Sequence, residues 1–176
     1  MADIRVTGGE LRGRRLHVPS KGVRPTTGMV REAVFSILGS VEGARVLDLF
    51  AGSGALGVEA LSRGAAEATF VDSHTGAVER NVAALDLADR ASVIRSDAVR
   101  FLRRTAESFD LVLCDPPYRL ADRLEGDLVH LIPEGLAPGG RVMIESSPQR
   151  PLELELPLAT EREYGDTLIR LYRSEP

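Results

Sequence analysis

Apolar residues in the middle of this chain come in short unbroken runs rather than alternating with polar ones. Arg45-Val46-Leu47-Asp48-Leu49-Phe50, Ala68-Thr69-Phe70-Val71 and Phe109-Asp110-Leu111-Val112-Leu113-Cys114 are runs of this kind. Their length and apolar content suit strands buried inside a sheet. Ser92-Val93-Ile94-Arg95-Ser96-Asp97 is a shorter one. Helix-compatible stretches follow, from Leu56 to Leu61 and from Ala98 to Thr105. Strands alternating with helices predict a parallel sheet with helices on both faces.

The pattern changes on either side of this core. Ile4-Arg5-Val6 and Arg14-Arg15-Leu16-His17-Val18 flank Gly8-Gly9 and Gly13, which predicts a glycine-bent hairpin. Arg24-Pro25-Thr26-Thr27 leads into a helix near Met29 to Leu38, with Val30, Val34, Ile37 and Leu38 on one face and Thr27 as its cap. Beyond Cys114 the pattern predicts a helix from about Asp122 to Ile132, a turn at Pro138-Gly139-Gly140 and a strand from Arg141 to Glu145. Leu158–Glu163 and Thr167–Tyr172, parted by Tyr164-Gly165-Asp166, predict an antiparallel hairpin on the sheet edge. The expected organisation is a hairpin and helix over residues 1–39 attached to a sheet-bearing unit over 40–176, with no repeat or linker.

Composition narrows this picture. A chain of 176 residues fits one domain with a core large enough to be stable alone. Mean hydropathy of −0.06 and 43% hydrophobic residues describe a soluble globular protein. No apolar run approaches the roughly 20 residues of a membrane span, and the first residues lack the apolar stretch of a signal peptide. A cytoplasmic protein is the expectation. The single Cys114 cannot form an intramolecular disulfide, and in its apolar run it reads as a small core residue. His17, His74 and His130 lie too far apart in sequence for metal-ligand spacing, so no metal is expected.

Charge is uneven. Met1 to Arg31 carries seven basic residues (Arg5, Arg12, Arg14, Arg15, Lys21, Arg24, Arg31) against Asp3 and Glu10, a net of +5. With −4 overall, the remainder carries −9. A basic arm on an acidic body suits a phosphate-rich partner held at one end, although a solvated hairpin with ordinary surface arginines would look similar. No aromatic residue interleaves these arginines, so such an arm would grip backbone rather than stack on bases.

Two motifs carry chemistry. Ala51-Gly52-Ser53-Gly54-Ala55-Leu56-Gly57 follows the first buried run at once, and its glycines match the G-x-G-x-x-G spacing between a strand and a helix. The next strand ends at Asp72, 20 residues after Gly52, where an acid is expected to hold ribose hydroxyls. By pattern alone the loop could serve NAD, FAD or S-adenosylmethionine. Asp48, ahead of the first glycine, would repel a pyrophosphate but tolerate a cationic sulfonium ligand. Asp48 can equally brace the loop by accepting its N–H groups. Asp97 is placed to accept an adenine amino group, although a plain helix cap is the simpler role.

The second motif is Asp115-Pro116-Pro117-Tyr118 at the end of the 109–114 run. Two prolines cannot continue a sheet ladder, so the chain must turn out here with carbonyls unpaired. That delivers a carboxylate, a backbone carbonyl and an aromatic ring to the carboxyl end of a strand, where open α/β sheets bind ligands. The set suits a planar base with an exocyclic –NH2: two acceptors for its hydrogens and a ring to stack on it. A strand-ending turn with a solvated Asp is the bland alternative.

Taken with Gly8-Gly9, Arg12-Gly13-Arg14, Arg24-Pro25-Thr26-Thr27, Val30-Arg31-Glu32, Glu59-Ala60-Leu61-Ser62-Arg63-Gly64-Ala65 and Tyr164-Gly165-Asp166, these motifs span nearly the whole chain. In that order they resemble the RsmD-type small-subunit (16S) ribosomal RNA guanine-N2 methyltransferases. One departure is visible: Gly28 stands where the family pattern tends to have aspartate. The resemblance implies a Rossmann-like class I methyltransferase with a mostly parallel seven-stranded sheet and an antiparallel C-terminal strand. It implies S-adenosylmethionine as cofactor, held by Asp48, Ala51, Gly52, Ser53, Gly54, Gly57, Asp72, Asp97, Ala98 and Asp115. Asp115, Pro116 and Tyr118 would be catalytic, and Arg5, Arg12, Arg14, Arg15, Lys21 and Arg24 would bind RNA. A monomer acting on ribosomal RNA or the small subunit is expected. The four-residue signature alone does not separate guanine from adenine, and an RNA-binding assembly factor without activity is the non-enzymatic alternative.

Overall fold

The computed structural model describes residues 4–19 and 26–176. Lys21 and Arg24 lie outside the described residues. The element order is β1 (Ile4–Arg5), β2 (Arg15–Leu16), α1 (Gly28–Leu38), β3 (Arg45–Leu49), α2 (Ala55–Ser62), β4 (Glu67–Asp72), α3 (Gly76–Ala84), β5 (Ala91–Arg95), α4 (Ala98–Arg104), β6 (Phe109–Cys114), α5 (Tyr118–Glu134), β7 (Leu136–Ser146), β8 (Leu158–Tyr164) and β9 (Thr167–Arg173). Seven strands form one sheet in the order β5-β4-β3-β6-β7-β9-β8. The first five run parallel, while β9 is antiparallel to both its neighbours. Chain order reverses direction between β3 and β6, and such a switch point leaves a crevice at the carboxyl ends of the strands.

The central strands are apolar on both sides because both sides are covered. Val46, Leu111, Leu113 and Met143 pack beneath α1, α2 and α3, whereas Leu47, Val71, Val112 and Ile144 pack beneath α4 and α5. In α1, Thr27 caps the helix by accepting the Val30 N–H at 3.3 Å, and Val30, Val34, Phe35 and Leu38 turn inward.

Two boundaries differ from the sequence expectation. Helix α5 begins at Tyr118 rather than near Asp122. Pro117 starts it, because a residue without an N–H loses nothing in a first turn, and its carbonyl accepts the Leu120 and Ala121 N–H groups. Leu128 and Ile132 alone are fully covered, so apolar periodicity marks only the second half of α5. Pro138-Gly139-Gly140 is not a turn before β7 but lies within it. Phe109 pairs with Leu136 and, after a bulge, Leu111 pairs with Arg141. The Gly139 N–H and the Gly140 carbonyl are taken by the C-terminal segment at Glu175 and Ser174.

The β1–β2 hairpin shares the main core through Ile4, Val6 and Leu16. Its anchor is Glu59 on α2, wholly buried. The Glu59 carboxylate accepts the Thr7 N–H (3.0 Å), the Thr7 hydroxyl (2.6 Å), the Gly8 N–H (2.8 Å) and Arg63 Nε (3.0 Å). Arg31 Nε lies 3.8 Å away, and the Arg31 guanidinium donates to the Thr26 and Arg5 carbonyls. A buried carboxylate is tolerable only when satisfied in this way.

Candidate active site

The glycine loop leaves β3 with every second residue in the positive-φ region: Phe50 (φ 59°), Gly52 (57°) and Gly54 (80°). A Cβ on Gly54 would sit 2.7 Å from Val78, and one on Gly57 would sit 2.3 Å from the Phe70 ring. A side chain is thus excluded at Gly54 by both conformation and packing, and at Gly57 by packing. Ala51 and Ser53 are buried in its wall.

Acidic side chains brace this loop. Asp48, 2% exposed, accepts the Gly57 N–H at 2.9 Å. Burial pushes its carboxyl up to about 8, the Gly57 hydrogen bond opposes this, and the Asp72 charge adds to it. Asp72 accepts the Gly52 N–H (2.9 Å) on one oxygen and the His74 N–H (2.8 Å) on the other. Asn81 on α3, which sequence reasoning missed, donates to the Ser53 carbonyl (2.8 Å) and the His17 carbonyl (2.9 Å) and accepts the His17 N–H (2.7 Å). One amide therefore ties the arm to the loop.

Across the switch point, Asp115 follows β6 and is half-buried, Pro116 is buried, and Tyr118 is 58% exposed at the start of α5. The pairing of Cys114 with Ile144 sets Asp115 beside Glu145 on the α1 face of the sheet. Glu145 was legible in sequence only as a strand end. The Thr26 hydroxyl, next to the α1 cap, lies 2.8 Å from Glu145 Oε2 and 3.5 Å from Asp115 Oδ2. Burial raises the Asp115 carboxyl well above its ordinary value, the Glu145 and Asp48 charges raise it further, and Thr26 opposes them. Glu145 is also raised, mainly by burial. Among the described residues, none of Asp48, Asp115 or Glu145 has an ion-pair partner. These carboxyl groups cluster at the strand ends without a cation beside them, and a cationic ligand would favour their ionised forms.

The family model described as "Conserved hypothetical protein 95" matches residues 4–173. The chain is 39% identical to the ribosomal RNA small subunit methyltransferase D of Escherichia coli, covering 98% of this chain and 90% of that protein. It is 32% identical to the protein of the same name from Haemophilus influenzae, covering 98% and 94%. The solved structure of the Escherichia coli protein yhhF superposes with a TM-score of 0.86 at 38% identity, over 99% of each chain.

The chain belongs to the RsmD-type methyltransferase family. Methyl transfer from S-adenosylmethionine is this family's chemistry, and the sheet order is that of a class I methyltransferase. The expected site residues divide into those at the switch point and those away from it. Asp48, the loop and Asp115 flank the crevice, with Asp72 one strand away. Asp97 lies at the β5 edge, where its side chain caps α4 by accepting the Arg100 N–H at 3.0 Å, and Ala98 is buried behind it. Arg5, Arg12, Arg14 and Arg15 are exposed on the arm. Arg5 donates to the Gly13 carbonyl and Arg14 to that of Ala84. At Gly28 a Cβ would meet only ordinary contacts, with Arg31 Nη2 3.8 Å away, so the family's aspartate would fit there beside a guanidinium.

Proposed function

We propose that this chain methylates the exocyclic N2 amine of a guanine in 16S ribosomal RNA, using S-adenosylmethionine. The observation that carries the reading is Asp115-Pro116-Pro117-Tyr118 held at the end of β6 beside the glycine loop of β3. The residues fit the cofactor: positive φ at Gly52 and Gly54 and close packing at Gly54 and Gly57 keep larger side chains off the loop, and carboxyl groups without a cationic partner suit a cationic donor. Asp72 and Asp97 are the acceptors for its ribose and adenine ends, with Asp48, Ala51 and Ala98 alongside. When bound, S-adenosylmethionine supplies an electrophilic methyl group.

The chain's own residues do the rest. An aromatic amine is a poor nucleophile because its lone pair is delocalised into the ring. The Asp115 carboxylate and the Pro116 carbonyl accept its two hydrogens and turn the lone pair toward the methyl carbon. Asp115 need not deprotonate the neutral amine; it stabilises the positive charge that develops on nitrogen. Pro117, rather than Pro116, supplies the carbonyl that starts α5, which leaves the Pro116 carbonyl out of the helix. Exposed Tyr118 stacks on a base that has left its helix. Arg5, Arg12, Arg14, Arg15, Lys21 and Arg24 hold the RNA backbone.

The test is incubation with labelled S-adenosylmethionine and ribosomal RNA or small subunits lacking native modification, followed by nucleoside analysis. Label is expected in N2-methylguanosine. Asp115→Ala should retain cofactor binding and lose about 10² to 10³ in rate, the usual effect of removing one charge-stabilising group. Label in N6-methyladenosine would overturn the guanine assignment, and full turnover by Asp115→Ala would overturn the role of Asp115.

A further inference from the structure

The arm is not the only basic part of this chain. Between Arg90 and Arg104 there are five arginines, Arg90, Arg95, Arg100, Arg103 and Arg104, against Asp97 alone, a net of +4. Given −4 overall and +5 on the first 31 residues, everything else carries −13. The cluster therefore stands against a strongly acidic body. Arg90 is paired with Glu10, and Arg103 with Asp127 at 2.7 Å. Arg95 donates Nε to the Ser73 carbonyl at 3.2 Å. The Arg100 and Arg104 guanidinium groups make no hydrogen bond or ion pair among the described residues.

Arg95, Arg100 and Arg104 line one groove of about 400 Å³, with Ser96 and the edge of Phe101 between them. Arg100 and Arg104 are one turn apart on α4, so their like charges repel and the helix gains nothing from the pair. Arg95 is the last residue of β5, which puts one end of the groove at the carboxyl edge of the sheet. That is the edge that carries the glycine loop and Asp115. The groove opens on the α4 face, whereas the arm lies on the α2–α3 face and reaches the same edge where Asn81 joins His17 to Ser53.

We propose that Arg95, Arg100 and Arg104 are a second contact for the RNA phosphate backbone, on the opposite side of the sheet from the arm. The proposal rests on the RNA reading above. S-adenosylmethionine carries net positive charge, so three guanidinium groups in a groove do not serve the cofactor. Phe101 is 9% exposed and offers no face for a base, so the groove fits sugar-phosphate rather than nucleobases. With the arm on one face and this groove on the other, a strand crossing the carboxyl edge would be held on both sides of the base in the Asp115 pocket.

The experiment measures binding of unmodified small-subunit ribosomal RNA to the full chain across a salt series. It compares wild type, Arg100→Glu/Arg104→Glu and Arg100→Lys/Arg104→Lys, with Arg12→Glu as an arm control. Two lost phosphate contacts should weaken RNA binding by about tenfold or more and reduce the log–log salt slope by about 2. KM for RNA should rise with kcat at saturation little changed, S-adenosylmethionine affinity should hold within about twofold, and the lysine pair should recover most of the affinity. Unchanged affinity and slope in the glutamate pair, with wild type binding and methylating RNA, would overturn the groove alone. So would competition by polyglutamate equal to that by RNA, because the patch would then be a general anion surface. Wild type that binds no RNA at any salt would overturn both this proposal and the RNA reading beneath it.

Discussion

Replacing Asp48 by asparagine should change how the stability of this protein depends on pH, by an amount the site's geometry sets. Asp48 is 2% exposed, and its carboxyl is raised from 3.8 to about 8, first by burial. The unfolded chain keeps the ordinary value, so between these limits it ionises while the folded protein must hold the proton. Asp48 thus stabilises the fold fully below about pH 4. Its contribution falls as pH rises toward 8 and levels off above. The slope is about 1.4 kcal/mol per pH unit, or roughly 2 to 3 kcal/mol between pH 5 and pH 7. Asparagine keeps a carbonyl for the Gly57 N–H, now 2.9 Å from Asp48 Oδ2, but does not titrate. Its buried –NH2 lacks a defined partner and would cost about 1 to 3 kcal/mol, equally at every pH. The offset between wild type and variant is therefore uninformative, and the change of that offset with pH is diagnostic. Urea unfolding of both proteins at pH 5, 6 and 7 gives the difference directly. Asp48→Asn should gain on wild type at each step upward. A difference flat to within about 0.5 kcal/mol would refute a neutral Asp48 and the burial argument with it.

Two further substitutions probe what holds the arm and the loop. Glu59→Ala strands the buried Arg31 and the Thr7 and Gly8 N–H groups, and should cost roughly 3 to 5 kcal/mol in urea unfolding. It should also expose residues 4–19 to limited proteolysis, and an intact arm with near-normal stability would contradict the anchoring role. Gly57→Ala drives a Cβ to 2.3 Å from Phe70 and 3.0 Å from Asp48 Oδ2. A loss of about 1 to 3 kcal/mol in stability is expected, with S-adenosylmethionine affinity by calorimetry reduced by about tenfold or more; unchanged affinity would show that the cofactor does not use the loop's exact path.

The chain by itself determined the parts of this protein that are encoded within a few residues of one another. Buried runs such as Leu111–Cys114 declare strands, because a strand covered on both faces must be apolar almost throughout. Gly52, Gly54 and Gly57 declare the loop, since the required conformation and close packing exclude side chains locally. Asp115-Pro116-Pro117 declares where β6 must end. Helix α5 was legible only where Leu128 and Ile132 touch the sheet, because an exposed first turn leaves no apolar period to read. Tertiary structure alone decided the remainder. Glu145 becomes the neighbour of Asp115 through strand register, and Thr26 reaches them across 119 and 89 residues of chain. Glu59 looks like an ordinary helix-surface acid until Thr7 and Gly8, 52 and 51 residues away, deliver their donors to it. Asn81 shows no motif, yet it joins His17 to Ser53. Local pattern reports a residue's own backbone and burial; the partner that satisfies a buried polar group is chosen by how distant elements close over it.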